Sequence, residues 1–346
     1  MTETASIYEM QPQPIGFLDK LAALAAWGVG AAVFLTVGWV VMEPADPRAP
    51  LSVMARPDGW SMLLLAAVMA AVAGGLATMI AGRRLVDVGV FAMGLGLALV
   101  SFRGSTVEYL LILQPEPALG FERGLALRFL LESLGWVLVA LVALVASTAV
   151  RRWVLGVSPQ DRNPDSRSGS SPSADPDEIG ALTAADDLGW VGREQARRTP
   201  AVDGLKHTAI AAGVAFVGVA IFSAGLSGRS VQHAQVCFVV AASVFMGTYT
   251  AYRFVPVRSA LWPMLSVLTL VVAGYVWAAL RPTAGVRPPS IPASPFLRVL
   301  PLQFVSVGLS AAVATFWYVY FPVAPDRAGP RPQRSAHRPR PRHTRR

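Results

Sequence analysis

Long apolar runs alternate with short polar connections along the chain, and one polar stretch, Arg151–Lys206, divides the runs into two groups. A helix needs about 20 apolar residues to cover roughly 30 Å of hydrocarbon. Runs of that order before the divide are Leu21–Met42, Trp60–Ala81, Leu85–Phe102 and Phe129–Val150. After it come Thr208–Leu226, Val231–Tyr252, Ala260–Leu280 and Val299–Phe321. The pattern predicts an all-α polytopic integral membrane protein with about eight transmembrane helices in two blocks of four. It divides into a cytoplasmic N-terminal segment (1–20), a first membrane block (21–150), a largely disordered cytoplasmic linker (151–206), a second membrane block (207–321) and a disordered tail (322–346). No motif recurs at matched positions of the two blocks.

Two local signals refine this outline. Ser105 with Glu108 three residues on reads as a capping box, which ends the third run near Phe102 and starts a short outer helix near residues 105–114. That helix is too short to cross, so it lies on the surface or dips back into the bundle. Small residues also cluster: Gly74, Thr78 and Gly82, then Gly89 and Gly94. In lipid, where burial of apolar surface cannot drive association, small residues let helix backbones approach closely. The second and third runs are therefore expected to pack as an antiparallel hairpin at the heart of the first block.

Charge sets the expected threading. Basic residues collect on the cytoplasmic side of membrane proteins. With the N-terminus inside, that side carries 21 Lys and Arg against nine on the other. Dropping the short third run would invert the second half and spoil the asymmetry. The cell inner membrane with both termini cytoplasmic is the expected location. The net charge of +9 is mostly the tail, whose Pro322–Arg346 holds eight Arg and one Asp. There Arg338, Arg340, Arg342, Arg345 and Arg346 are expected to contact anionic lipid at the cytoplasmic face, each worth roughly 1 kcal/mol. Contact of this tail with the ribosome or another nucleic acid is the less favoured alternative.

Candidate chemistry is sparse. Arg103, Glu108, Arg128 and Glu132 fall near one boundary and could meet as an outer-leaflet charged cluster, with Glu132 about one turn into its apolar run. Charge at membrane depth is costly and marks function by default, although an ion pair pinning a loop accounts for it too. Arg83 and Asp87 read as an interfacial pair. Ser243, Thr248, Tyr249, Thr250 and Tyr252 form a polar side to the sixth run, and bonding to neighbouring helices explains them better than a passage. The lone cysteine, Cys237, allows no internal disulfide, and His207 and His233 are expected on opposite faces, so neither a metal nor a redox cofactor is expected. Three functions remain: a non-catalytic subunit or scaffold that works through a membrane-protein partner; a transporter or lipid-handling permease with an outer charged mouth; and an enzyme on a lipid-linked substrate using Glu108 or Glu132 as base.

Overall fold

A computed structural model describes residues 17–44, 46, 49–53, 56, 58–82, 85, 87–112, 121–155, 201–224, 232–257, 259–281 and 294–320. Among these the chain is mostly helical, joined by short irregular segments, with no strand. Helix α1 runs Phe17–Met42 and contains a π-helical turn at Phe34–Gly38. The others are α2 (Gly59–Ala81), α3 (Val88–Ser101), α4 (Val107–Ile112), α5 (Phe121–Trp153), α6 (Ala201–Ala224), α7 (His233–Phe254), α8 (Leu261–Leu280) and α9 (Pro301–Tyr320). A 3-10 turn, Pro295–Arg298, precedes α9. Seven helices are long and apolar enough to cross a membrane, and α3 is a shorter apolar one. The chain is therefore an all-α, multi-pass membrane protein.

Helix α3 has 14 residues, so it rises only about 21 Å. Its ends nevertheless lie at opposite faces of the bundle. At its C-terminus Arg103 sits over the Trp39 ring of α1 at 5.1 Å, and Ser105 N–H donates to Ala49 O at 3.2 Å. At its N-terminus Asp87 is drawn to Arg151, at the far end of α5. The short run thus traverses the bundle, which keeps the connections alternating between faces.

The interhelical contacts explain why α3 can be so short and glycine-rich. A Cβ on Gly96 would lie 2.6 Å from Gly30 O of α1, and one on Gly89 2.7 Å from Gly74 O of α2. One on Gly94 would lie 2.9 Å from Ser306 O of α9. Side chains larger than hydrogen cannot occupy these positions without separating the backbones. Gly74 O also accepts from Thr78 Oγ1 (2.7 Å) and from Ser147 Oγ of α5 (3.3 Å). Gly82 follows the last residue of α2 and bonds back to Thr78 O. So α2 and α3 do touch as neighbours, but α3 lies between α1 and α9, and α2 packs chiefly on α5. The expected heart of the first block is thus shared with a helix of the second.

That sharing is general. Helix α8 packs on α5, and α9 packs on α3, α7 and α8. Most of α9 is buried, including Phe304, Ala312, Val313 and Thr315. The two blocks in sequence form one core in space.

Two helix starts differ from the apolar pattern. Helix α5 begins at Phe121 rather than Phe129, and α6 at Ala201 rather than Thr208. Both added turns carry charged residues, so apolar run length alone misses them. Helix α4 starts at Val107, which puts Thr106, not Ser105, just before the first helical residue. The linker core, the N-terminal segment and the Arg/Pro tail lie outside the described residues, as does Arg83.

Candidate functional site

One face of the bundle is closed by two segments outside the α-helices that fold back into it. The first is Ala49–Val53, where Leu51, Ser52 and Val53 are buried. The second is Ser294–Leu300, where Ser294, Phe296, Leu297, Val299 and Leu300 are buried. Backbone polar groups at this depth are tolerated only when they are covered by protein. Proline and apolar residues explain why both segments sink: Pro50-Leu51-Ser52-Val53 and Pro295-Phe296-Leu297 have few polar side chains to keep wet.

Glu132 is the focus beneath these segments. It is fully buried. Its Oε2 accepts from Ser52 Oγ at 2.5 Å, so a side chain of the first segment reaches it. Its Oε1 accepts from Trp136 Nε1, one turn further along α5, at 3.2 Å. Tyr275 of α8 adjoins it electrostatically, within hydrogen-bonding reach of Ser133. The Tyr275 hydroxyl donates to Val299 O at 2.9 Å, which ties in the second segment. Phe129 packs edge-on against Tyr275, with centroids 5.7 Å apart, and Phe304 lies behind it at 6.0 Å. A buried carboxyl thus accepts from Ser52 and Trp136 beside an aromatic wall. Burial of this kind is costly unless the lone pairs are satisfied, and both oxygens are.

A second polar group sits at the same face. Arg298, half-buried at the end of the 3-10 turn, donates from Nη1 to Ser223 O at the end of α6 (2.9 Å). Burial lowers the guanidinium's pKa, and the carboxylates of Glu108 and Glu122 oppose that shift. Glu122 is buried and Glu108 half-buried. Arg298 therefore joins α4, the start of α5 and the end of α6.

The four residues expected to cluster are distributed. Glu108 and Glu132 turn inward. Arg128 is exposed on α5. Arg103 is exposed too, over Trp39, with Nη1 3.5 Å from Leu35 O in the π-helical turn. A π-helical turn skips a bond in the ordinary ladder, and Arg103 serves a carbonyl there. The charged groups that approach the inward acids were not singled out from sequence: Glu122 preceded the apolar run, and Arg298 stood among outer-loop residues.

The polar side of α7 splits. Ser243, Thr248 and Tyr252 are buried, whereas Tyr249 is exposed. Ser243 packs on Gly218 of α6, and Tyr252 lies against His207 (4.6 Å) and Phe316 (6.3 Å). His207 Nδ1 is 2.9 Å from Val255 O, which places its proton on Nδ1 as donor. At the other end, His233 Nδ1 accepts from Gln303 Nε2 at 2.8 Å. The two histidines thus serve opposite ends. Among the described residues no group of three or more His, Cys, Asp or Glu could hold a metal ion. No family model, curated protein or solved structure matches the chain, so its own residues carry the reading of what it does.

Proposed function

We propose that this is a multi-pass bacterial inner-membrane protein with both termini cytoplasmic, acting as a non-catalytic subunit or scaffold of a membrane complex. One observation carries the reading: the inward charges at the loop-bearing face are engaged with the chain's own loops. Arg298 answers Glu108 and Glu122, and Glu132 receives Ser52 and Trp136. Such contacts shape and brace a surface. The imbalance of 21 basic residues against nine supports the cytoplasmic placement of the linker and of the Arg-rich tail, which suit contacts with a partner and with anionic lipid. Purification of the full chain in mild detergent, followed by mass spectrometry, tests the reading. A stoichiometric membrane-protein partner is expected, and recovery of the chain alone overturns it.

A second reading, a transporter or lipid-handling permease, is favoured by the depth and complete burial of Glu132 at the meeting point of both halves. It expects Glu132→Gln to abolish a transport phenotype while leaving expression unchanged.

A further inference from the structure

We propose that the outside of the seam between α7 and α9, at the end that carries Arg253, binds an anionic phospholipid, with the phosphate at Arg253 and an acyl chain against Phe245 and Tyr318. The site is separate from the Arg-rich tail, and it rests on the membrane fold rather than on the scaffold reading.

Helix α7 places Phe245, Tyr249 and Arg253 at four-residue intervals, and all three are exposed. Residues so spaced share one face of a helix. Phe245 and Tyr249 stack, with planes 6° apart and centroids at 6.1 Å. Tyr318 of α9, 62% exposed, forms the other side, its ring 6.0 Å from Phe245. The rings thus make a column on the lipid-facing side of the seam.

Depth decides what fits there. Helix α7 has 22 residues and rises about 33 Å, close to the roughly 30 Å of hydrocarbon in a bilayer. Arg253, next to last in the helix, therefore lies at headgroup level. Phe245 is two intervals back, about 12 Å deeper and still within one leaflet. A phospholipid covers that same distance, from phosphate to acyl chain. A free phosphate would reach Arg253 and leave the rings unused.

The polar groups suit a phosphodiester. Among the described residues no acid pairs with Arg253. The nearby Asp203 of α6 is held by Lys206 at 3.5 Å, and His207 is turned to Val255 O. A guanidinium binds phosphate through paired N–H donors. The Tyr249 hydroxyl, one turn deeper, offers a further donor to phosphate or ester oxygens. Tyrosine is favoured where its ring meets hydrocarbon and its hydroxyl meets the headgroups.

The test uses the full chain in nanodiscs of equal parts phosphatidylglycerol and phosphatidylcholine with identical acyl chains. One lipid and then the other carries a diazirine in its acyl chain, and labelled residues are mapped by mass spectrometry. The readout is local, so lipid held by the tail does not enter. Phe245–Tyr249 is expected to label about fivefold more from the anionic lipid, the factor for one Arg near an anionic surface. Absence of a preference overturns the proposal. Arg253→Gln is expected to abolish the preference. Arg152→Gln should keep it, although Arg152 is an exposed cation at the same face. That face is shared because Phe316 of α9 lies beside Tyr252, Trp317 beside Phe91 of α3, and Asp87 before α3 is drawn to Arg151 of α5. An unchanged preference in Arg253→Gln overturns the proposal, and so does an equal loss in both variants, which would assign it to bulk surface charge. Tyr318→Ala leaves the charge in place and should lower anionic labelling of Phe245 by about twofold or more. Unchanged labelling there overturns the seam as the seat of the chain. All three substituted side chains are exposed, so monodisperse elution of each variant is expected and is checked first.

Discussion

At Tyr275 a single hydroxyl joins helix α8 to the segment that closes the loop-bearing face. Its bond to Val299 O is buried, so Tyr275→Phe leaves a backbone carbonyl dry. The expected loss is about 1–2 kcal/mol, read as a lower midpoint in thermal unfolding of the detergent-solubilised protein. At the other face Asp87 holds a left-handed backbone (φ 62°) just before α3. Burial pushes its carboxyl from an ordinary 3.8 up to about 6, against the opposing pull of Arg151. The folded state therefore binds this proton more tightly than the unfolded state. Its stabilising share is complete below pH 3.8 and is lost as pH rises through about 6. Asp87 keeps part of its surface in contact with solvent, so the charge at neutral pH, at most about 3 kcal/mol if fully dry, costs about 1 kcal/mol after screening. Asparagine tolerates the same backbone, so Asp87→Asn is expected to stabilise the protein at pH 7–8 by about 1 kcal/mol and to have little effect near pH 4. Equal effects at both pH values would refute the assignment. Depth in an apolar run was enough to single out Glu132. Its companions were not legible, because Ser52 and Tyr275 are ordinary residues until two distant segments fold onto one carboxyl.

Among the elements, α3 is the one whose sequence says most about its surroundings. Glycine at 89, 94 and 96 signals close approach, and the structure supplies a different neighbour for each: α2, α9 and α1. What sequence could not give was the identity of those neighbours, since small residues report proximity without naming a partner. Gly96→Val is expected to cost more than about 2 kcal/mol or to block insertion, because its Cβ would meet Gly30 O at 2.6 Å. Gly28→Ala and Gly213→Ala are the controls. A Cβ at either meets nothing within 4 Å, so both should be neutral or stabilise by up to about 1 kcal/mol. Comparable losses at all three sites would show that backbone approach at Gly96 does not set the cost. Helix type and approximate crossing positions were legible from apolar run length alone. The starts of α5 and α6 were not, because charged residues such as Glu122, Arg123, Asp203 and Lys206 interrupt the apolar run there.

For the whole molecule, the decisive contacts run between the sequence halves. Helix α9 leans on α3, and α8 leans on α5, while Arg298 and Tyr275 bring second-half groups to the acids of the first. The polar stretch between the halves suggested a boundary, because composition records where the chain leaves the membrane and not which helices meet inside it. Each half alone would expose the small-residue faces that the other covers: Gly94 without Ser306 and Ser310, and Tyr275 without Phe129. A cut within residues 156–200, where no described contact is broken, should therefore leave two fragments that need each other. Expressed together they are expected to co-purify through a tag on either one and to melt in a single transition. Expressed apart, each is expected to be degraded or aggregated. Gly94→Leu in the first fragment should reduce the pairing strongly, whereas Gly28→Leu, on an open face of α1, should not. Stable, monodisperse fragments that ignore each other would mean that the shared core adds little to stability, and the closed face between them would then need another source of order.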